Sequence, residues 1–243
     1  MKKTLLFALF TLFLASCQTK SPRIISEDIV PVTISNITDS SMFHLIEPYK
    51  AQLDSDIHVV IGRSAIELTR GLPEASLNTF VADAMLDYGS KIKPTDIAIT
   101  NLGGLRTDLQ EGPITVGDVM QVMPFDNAMV FVELSGKEVN NLCDAIAAKG
   151  GEVVAGISMK IVGDKAEDVL IQGKPIDENR TYLIITTDYL SYGNDHLEPL
   201  ANFKTIESLD ILVRDLLIGH IMNETKAGRA IQPTLKNNIY VEK

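Results

Sequence analysis

The chain has 243 residues, of which 45% are hydrophobic, and a formal net charge of −10. This length is enough for one domain that buries its own core, and the two cysteines are not needed to stabilise it. The acidic balance and the lack of a basic stripe argue against nucleic acid as a partner.

The first 17 residues have the pattern of a secretory signal peptide. Two lysines precede an apolar run at 5–14, which is too short to cross a membrane. Cys17 directly follows Leu-Ala-Ser, as in bacterial lipoprotein signals. We therefore expect Cys17 to carry lipid and to anchor the protein in the bacterial cell envelope, facing the periplasm. The alternative is an ordinary cleaved signal in which Cys17 occurs by chance.

Residues 18–44 are predicted to form a tether, and residues 45–243 are predicted to form the folded domain. At the start of the domain, a β-like apolar run at 56–62 predicts a strand. The stretch 74–88 has apolar residues at helical spacing, so it predicts a helix that Gly89 ends.

The remaining chain alternates irregularly between strand-like and helix-like patterns. Further strands are predicted at 97–100, 128–134, 157–162, 169–172 and 182–187. Further helices are predicted at 117–123, 136–149 and 208–223. The helix that ends at Lys149 follows Ser135-Gly-Lys-Glu138, a capping-box pattern, and holds Cys143 on its apolar face. This order predicts an α+β domain, that is, a mixed α/β sheet with packed helices.

Three short loops contain the residue types that a binding site needs. The first follows the strand at 97–100 and reads Asn101-Leu-Gly-Gly-Leu-Arg106. Its paired glycines, Gly103 and Gly104, let a backbone approach a ligand closely, and Arg106 offers a fixed fork of donors for phosphate or carboxylate. Alone, this pattern also fits an ordinary glycine turn with a surface arginine.

The second loop contains Phe125 and Asn127, and the third, Asp-Tyr-Leu-Ser-Tyr-Gly-Asn-Asp, contains Tyr189, Gly193 and Asp195. Each loop also has a plain structural reading, because a loop aromatic often belongs to the core and aspartate is common in turns. Taken together, two aromatic faces, an arginine, amides and a carboxylate suit a nucleoside or a nucleotide.

These motifs, in this order, resemble the C-terminal domain of 5′-nucleotidases, a family that includes UDP-sugar hydrolases and 2′,3′-cyclic phosphodiesterases. The resemblance extends from about residue 51 to residue 240 and includes matching stretches at 112–119 and 134–139. It implies a substrate-binding domain with the mixed sheet and packed helices of that family.

In that family two aromatic side chains sandwich the base, and by position these are Phe125 and Tyr189. The resemblance places Asp195 beside the ribose, with Asn101 and Arg106 on the ribose and phosphate side. The predicted substrate-binding residues are therefore Asn101, Gly103, Gly104, Arg106, Phe125, Asn127, Tyr189, Gly193 and Asp195.

Members of the family also carry an N-terminal metallophosphatase domain that holds two metal ions. The resemblance does not extend to that domain, so we assign no catalytic residue, no metal ligand and no cofactor to this chain. The four histidines are expected to be structural or solvated: His44, His58, His196 and His220. Divalent metals are implied only in a separate metallophosphatase chain.

The leading hypothesis is a split 5′-nucleotidase-type phosphohydrolase that acts in nucleotide catabolism. This lipoprotein would bind the nucleotide, and a separate metallophosphatase chain would supply the metals and the attacking water. The alternative is a stand-alone nucleoside-binding lipoprotein without hydrolase activity. A third hypothesis, a structural domain that makes only protein contacts, is weakened because both aromatic residues are retained.

Overall fold

The computed structural model describes the backbone of residues 40–242, with side chains for residues 44–50 and 55–242. The predicted signal peptide, its Cys17 and most of the predicted tether lie outside the described residues. The residues Glu47–Lys243 form one compact unit, and the first turns of the leading helix belong to the preceding unit, Met1–Ile46. No helix in the described part of the chain has the length and apolar character needed to cross a membrane.

Helices and strands alternate through the described range. The helices are α1 (Ser40–Ile57), α2 (Ser76–Ile92), α3 (Val116–Val122), α4 (Gly136–Ala148), α5 (Asp188–Ser191) and α6 (Val213–Lys226). The strands are β1 (Val60–Ser64), β2 (Ile97–Thr100), β3 (Gly112–Thr115), β4 (Ala128–Ser135), β5 (Val153–Ala155), β6 (Ile157–Val162), β7 (Lys165–Ile171), β8 (Lys174–Pro175), β9 (Thr181–Thr187), β10 (Ile206–Leu212) and β11 (Ile239–Val241). Single 3₁₀ turns occur at Leu102–Gly104 and Glu198–Ala201.

The central sheet of the described domain has five strands in the order β10-β4-β9-β2-β5. Strands β2 and β9 are parallel, and the other neighbours in this sheet are antiparallel. A second sheet has the order β11-β6-β7-β8, and β1 pairs with β3 in a separate two-stranded ribbon. The predicted mixed sheet with packed helices is therefore confirmed.

The central sheet has a core on each face, because successive residues of a strand point to opposite sides. On β9, Ile184 belongs to one core and Ile185 to the other. Helices α2 and α6 cover the face of Ile185, and helix α4 and the second sheet cover the face of Ile184. The residues of α4 that fill this second core recur at helical spacing: Val139, Leu142, Cys143, Ile146 and Ala147.

Two predicted elements are corrected by the structure. Only the end of the predicted strand at 56–62 is a strand, since α1 continues to Ile57. The first five residues of the predicted helix at 208–223 belong to β10, which pairs antiparallel with β4. Their apolar residues fit both a helical and an alternating period, and the pairing with β4 decides between the two.

Gly89 does not end α2, which continues to Ile92. A Cβ atom at this position would lie 2.9 Å from Thr95 Oγ1 and 3.0 Å from Ile185 Cδ1. The glycine is therefore required by close packing against the sheet and does not mark the end of the helix.

The predicted capping box is only half formed. Ser135 Oγ accepts a hydrogen bond from Glu138 N at 3.3 Å, whereas the Glu138 carboxylate accepts one from Asn202 Nδ2 at 3.0 Å. A complete capping box occurs instead at the start of α3, where Thr115 N donates to Asp118 Oδ2 and Asp118 N donates to Thr115 Oγ1. This box fixes the helix that leads into the Phe125 loop.

Two glycines in helices should respond in opposite ways to alanine substitution. A Cβ atom on Gly136 would lie 2.2 Å from Asp177 O and 2.7 Å from Glu178 Cα, so Gly136→Ala should destabilise the protein by about 1–3 kcal/mol. No described atom lies within 4 Å of a Cβ atom on Gly219, inside α6, so Gly219→Ala should stabilise it by about 0.5–1 kcal/mol. Urea unfolding measures both, and equal effects would contradict this packing.

The thiol of Cys143 should be unreactive in the folded protein. Burial, followed by the charge of Asp144, raises the pKa of Cys143 to about 12. In a chain that carries Cys17→Ser, Cys143 is the only thiol, because the sequence has two cysteines. We expect no labelling by iodoacetamide at mildly alkaline pH and complete labelling after unfolding in guanidinium chloride. Rapid labelling of the folded chain would show that α4 opens.

Candidate functional site

The pairing of three strands brings the three predicted loops to one edge of the central sheet. Because β2 and β9 are parallel, both end at this edge. Strand β4 runs antiparallel to β9, and its Met129 pairs with Thr187, so β4 begins where β9 ends. The loop after β2, the loop before β4 and the loop after β9 therefore emerge side by side.

A cavity of about 350 Å³ lies between these loops. Its lining residues are Asn101, Gly103, Gly104, Arg106, Phe125, Asn127, Tyr189 and Asp195. All eight were predicted from the sequence, and the ninth predicted residue, Gly193, lies outside the lining. The volume is within the range of small-molecule sites, about 300–1,000 Å³.

Two aromatic side chains leave large apolar faces open in the cavity. Phe125 is 43% exposed and Tyr189 is 44% exposed, so neither is a core residue. The guanidinium of Arg106 lies 5.9 Å from the centre of the Phe125 ring, within the range of a cation–π contact. Arg106 is the one cationic side chain among the described residues of the lining.

The glycine loop forms one 3₁₀ turn, in which Gly104 N donates to Asn101 O at 3.0 Å. Arg106 Nη1 donates to Gly103 O at 3.3 Å. A Cβ atom on Gly103 would lie 3.2 Å from Asn101 Nδ2 and 4.0 Å from Asp195 Oδ2, so a glycine keeps the space between the amide and the carboxylate open. Asn101 Oδ1 is buried without a hydrogen-bond partner among the described residues.

Gly193 and Asp195 both have left-handed backbone conformations, with φ of 79° and 60°. Gly193 makes the turn after α5, and its N–H donates to Leu190 O at 2.9 Å. A left-handed aspartate is uncommon and needs neighbours to hold it. Lys149 supplies that hold, because its Nζ donates to Asp195 O at 2.7 Å and lies 3.1 Å from Asp195 Oδ2.

Two residues that were not predicted, Lys149 and Glu152, connect the glycine loop to the loop of Asp195 and lie outside the cavity lining. Lys149 Nζ lies 2.7 Å from Glu152 Oε2, and Glu152 Oε1 accepts hydrogen bonds from Leu102 N at 2.5 Å and Val153 N at 3.1 Å. The available signal was an acidic residue directly before β5, a strand that was not predicted. In the sequence, Lys149 stands out only as the end of a predicted helix.

Burial and charge oppose one another at this pair. Burial alone would lower the pKa of Lys149, but the hydrogen bonds and charges of Glu152 and Asp195 outweigh it, so its pKa is raised. Burial raises the pKa of Glu152, although Lys149 and the amides of Leu102 and Val153 oppose this shift. Lys149 is therefore held under the cavity by contacts to both Glu152 and Asp195.

The histidines do not form a metal site in the described part of the chain. No three His, Cys, Asp or Glu side chains within residues 44–50 and 55–242 are close enough to hold a metal ion. The ring of His220 packs edge-on against Phe80, at 5.8 Å between centroids, as expected for a structural histidine.

Fold and cavity together define an α+β domain with an open aromatic and polar cavity at one edge of its central sheet. The family model "5'-nucleotidase, C-terminal domain" matches residues 59–202, more than half of the chain. The chain therefore belongs to the 5′-nucleotidase C-terminal domain family.

Two similar bacterial proteins are longer than this chain. Protein UshA of Yersinia enterocolitica is 31% identical over 166 residues, which cover 65% of this chain and 30% of that protein. A 5′-nucleotidase of Vibrio cholerae is 29% identical over 167 residues, with the same coverage. The chain thus spans about 30% of the length of these relatives.

A solved structure shows the same fold. The 5′-nucleotidase precursor from Thermus thermophilus superposes with a TM-score of 0.71 at 21% identity. The superposition covers 84% of this chain and 43% of that chain.

Proposed function

We propose that this chain is the nucleotide- and nucleoside-binding domain of a split 5′-nucleotidase-type phosphohydrolase that acts in nucleotide catabolism. The observation that carries the proposal is the cavity in which eight predicted residues from three distant loops meet. A separate metallophosphatase chain supplies the metals and the attacking water. The lipoprotein-like signal supports a site of action at the envelope, with the domain anchored by lipid and facing the periplasm.

The lining has a chemical group for each part of a nucleotide. Phe125 and Tyr189 offer open ring faces for stacking on a base. Asp195 offers a carboxylate that accepts hydrogen bonds from sugar hydroxyls, and Arg106 offers donors to a phosphate.

The first test is calorimetric titration of the full chain, carrying Cys17→Ser, with adenosine and with AMP in mild detergent. We expect both to bind, and Phe125→Ala combined with Tyr189→Ala to weaken binding at least about 30-fold. The reason is that each stacked ring contributes roughly 1–3 kcal/mol. Tyr192→Ala is the matched control, because Tyr192 is 76% exposed and lies outside the cavity lining.

Two results would contradict this prediction. Wild-type protein that binds neither ligand would remove the nucleoside site. Equal losses in the double variant and in Tyr192→Ala would mean that the cavity rings do not contact the ligand. Binding without any later gain of activity from a partner would leave the stand-alone binding protein as the correct reading.

The second test separates phosphate recognition from nucleoside recognition. Arg106→Ala should weaken AMP binding by about 10–100-fold, since hydrogen bonds to charged groups contribute roughly 1.5–3 kcal/mol, and should weaken adenosine binding much less, because adenosine has no phosphate. Arg229→Ala is the control, because Arg229 is an exposed arginine paired with Glu224.

The same variants test the split enzyme. The purified chain is mixed with a separately encoded metallophosphatase chain, AMP and Mn²⁺, and released phosphate is measured. We expect release to exceed that of the metallophosphatase alone, and Arg106→Ala to lower the gain while Arg229→Ala does not. If phosphate release does not increase on mixing, the proposal of a split enzyme is wrong.

A further inference from the structure

We propose that Lys149 and Glu152 are positioning residues that hold the glycine loop and the Asp195 loop in one fixed geometry for the ligand. This inference rests on the proposed function, because it concerns how the same cavity recognises a nucleoside. Neither residue lines the cavity, so each acts through a neighbour.

The geometry forms a continuous chain of contacts from one loop to the other. Asp195 is bound twice by Lys149, through its carboxylate and through its backbone carbonyl. Lys149 is bound by Glu152, and Glu152 accepts the N–H of Leu102, the first residue of the 3₁₀ turn in the glycine loop. The loops that contribute Asn101 and Asp195 are therefore connected through one ion pair.

We call the contacts that connect Asp195, Lys149, Glu152 and Leu102 the bridge. Burial makes this bridge different from a surface ion pair. The Glu152 side chain is 1% exposed and the Lys149 side chain is 18% exposed, so solvent screens their interaction little. By contrast, the pair of Lys165 with Asp144 has the same 2.7 Å separation, but Lys165 is 71% exposed. Both pairs involve helix α4 or its C-terminal end, which gives a control close to the site.

Loss of the bridge should weaken binding of the ribose, which Asp195 contacts in the proposed function, and should leave stacking of the base on the aromatic rings unchanged. Lys149 fixes both the carboxylate and the left-handed backbone of Asp195, so its loss frees that side chain to rotate away from the cavity. The open faces of Phe125 and Tyr189 belong to residues that take no part in the hydrogen bonds and ion pairs of this bridge. Recognition of a free base should then survive.

The test uses the full chain with Cys17→Ser and a double variant, Lys149→Met with Glu152→Gln. The double variant leaves no unpaired buried charge, so it avoids the folding defect expected of Lys149→Met alone. Adenosine and adenine are titrated by calorimetry. We expect adenosine affinity to fall at least about tenfold and adenine affinity to change less than about twofold, because only adenosine has the hydroxyls that Asp195 accepts.

A double-mutant cycle identifies the route of the effect. Asp195→Ala should weaken adenosine binding in the wild-type background and have little further effect when Lys149→Met and Glu152→Gln are present, because residues that act through one another are not additive. Lys165→Met is the control and should leave both affinities unchanged. Additive losses, or equal losses for adenine and adenosine, would overturn the inference.

A ligand-free measurement keeps this inference separate from the proposed function. Hydrogen exchange is measured by NMR at the amides of Gly193 and Leu197, which lie on either side of Asp195 and donate to Leu190 O and Asn194 O, respectively. Exchange should be faster in the double variant and unchanged in Lys165→Met. If the wild type binds no adenosine, adenine or AMP, the proposed function fails. Unchanged hydrogen exchange in the double variant would overturn the role of the bridge, whether or not the wild type binds a ligand.

Discussion

The pairing of β9 with β2 on one side and β4 on the other is the constraint on which the site depends. The parallel pair places the ends of β2 and β9 together, and the antiparallel pair places the start of β4 beside them. Strand β5 runs antiparallel to β2, with Val153 opposite Thr100, so Glu152 arrives at the same edge. Loops separated by nearly ninety residues are thus neighbours because of the order and direction of the paired strands.

The two cores fix that edge from both sides. The face of Ile185 packs on α2 and α6, and the face of Ile184 packs on α4 and the second sheet. Because buried residues at helical spacing hold α4 against this core, its end presents Lys149 at a fixed position under the cavity. Packing far from the cavity therefore controls where the carboxylate of Asp195 lies.

The residues that line the cavity were easier to predict from the sequence than the residues that hold its loops in place. Motifs such as Asn101 to Arg106 combine unusual residue types within a few positions, so they are visible before folding. The contact of Lys149 with Asp195 joins residues 46 apart and depends on α4 ending beside β5, a three-residue strand. The three-residue strand β5 and the strand β10, whose apolar residues also fit a helical period, take their identity from pairing partners, which local patterns do not encode.

Charge sets a further condition on any phosphate in this cavity. The chain has a net charge of −10, and Arg106 is the one cation among the described lining residues. Lys149 cannot serve as a second one, because Glu152 and Asp195 already neutralise it. Each added phosphate would increase the repulsion between the ligand and the acidic protein, and the described lining has no second cationic side chain to bind it. If the cavity binds nucleotides as proposed, these charges favour nucleosides and monophosphates, and cations for longer phosphate chains have to come from the partner.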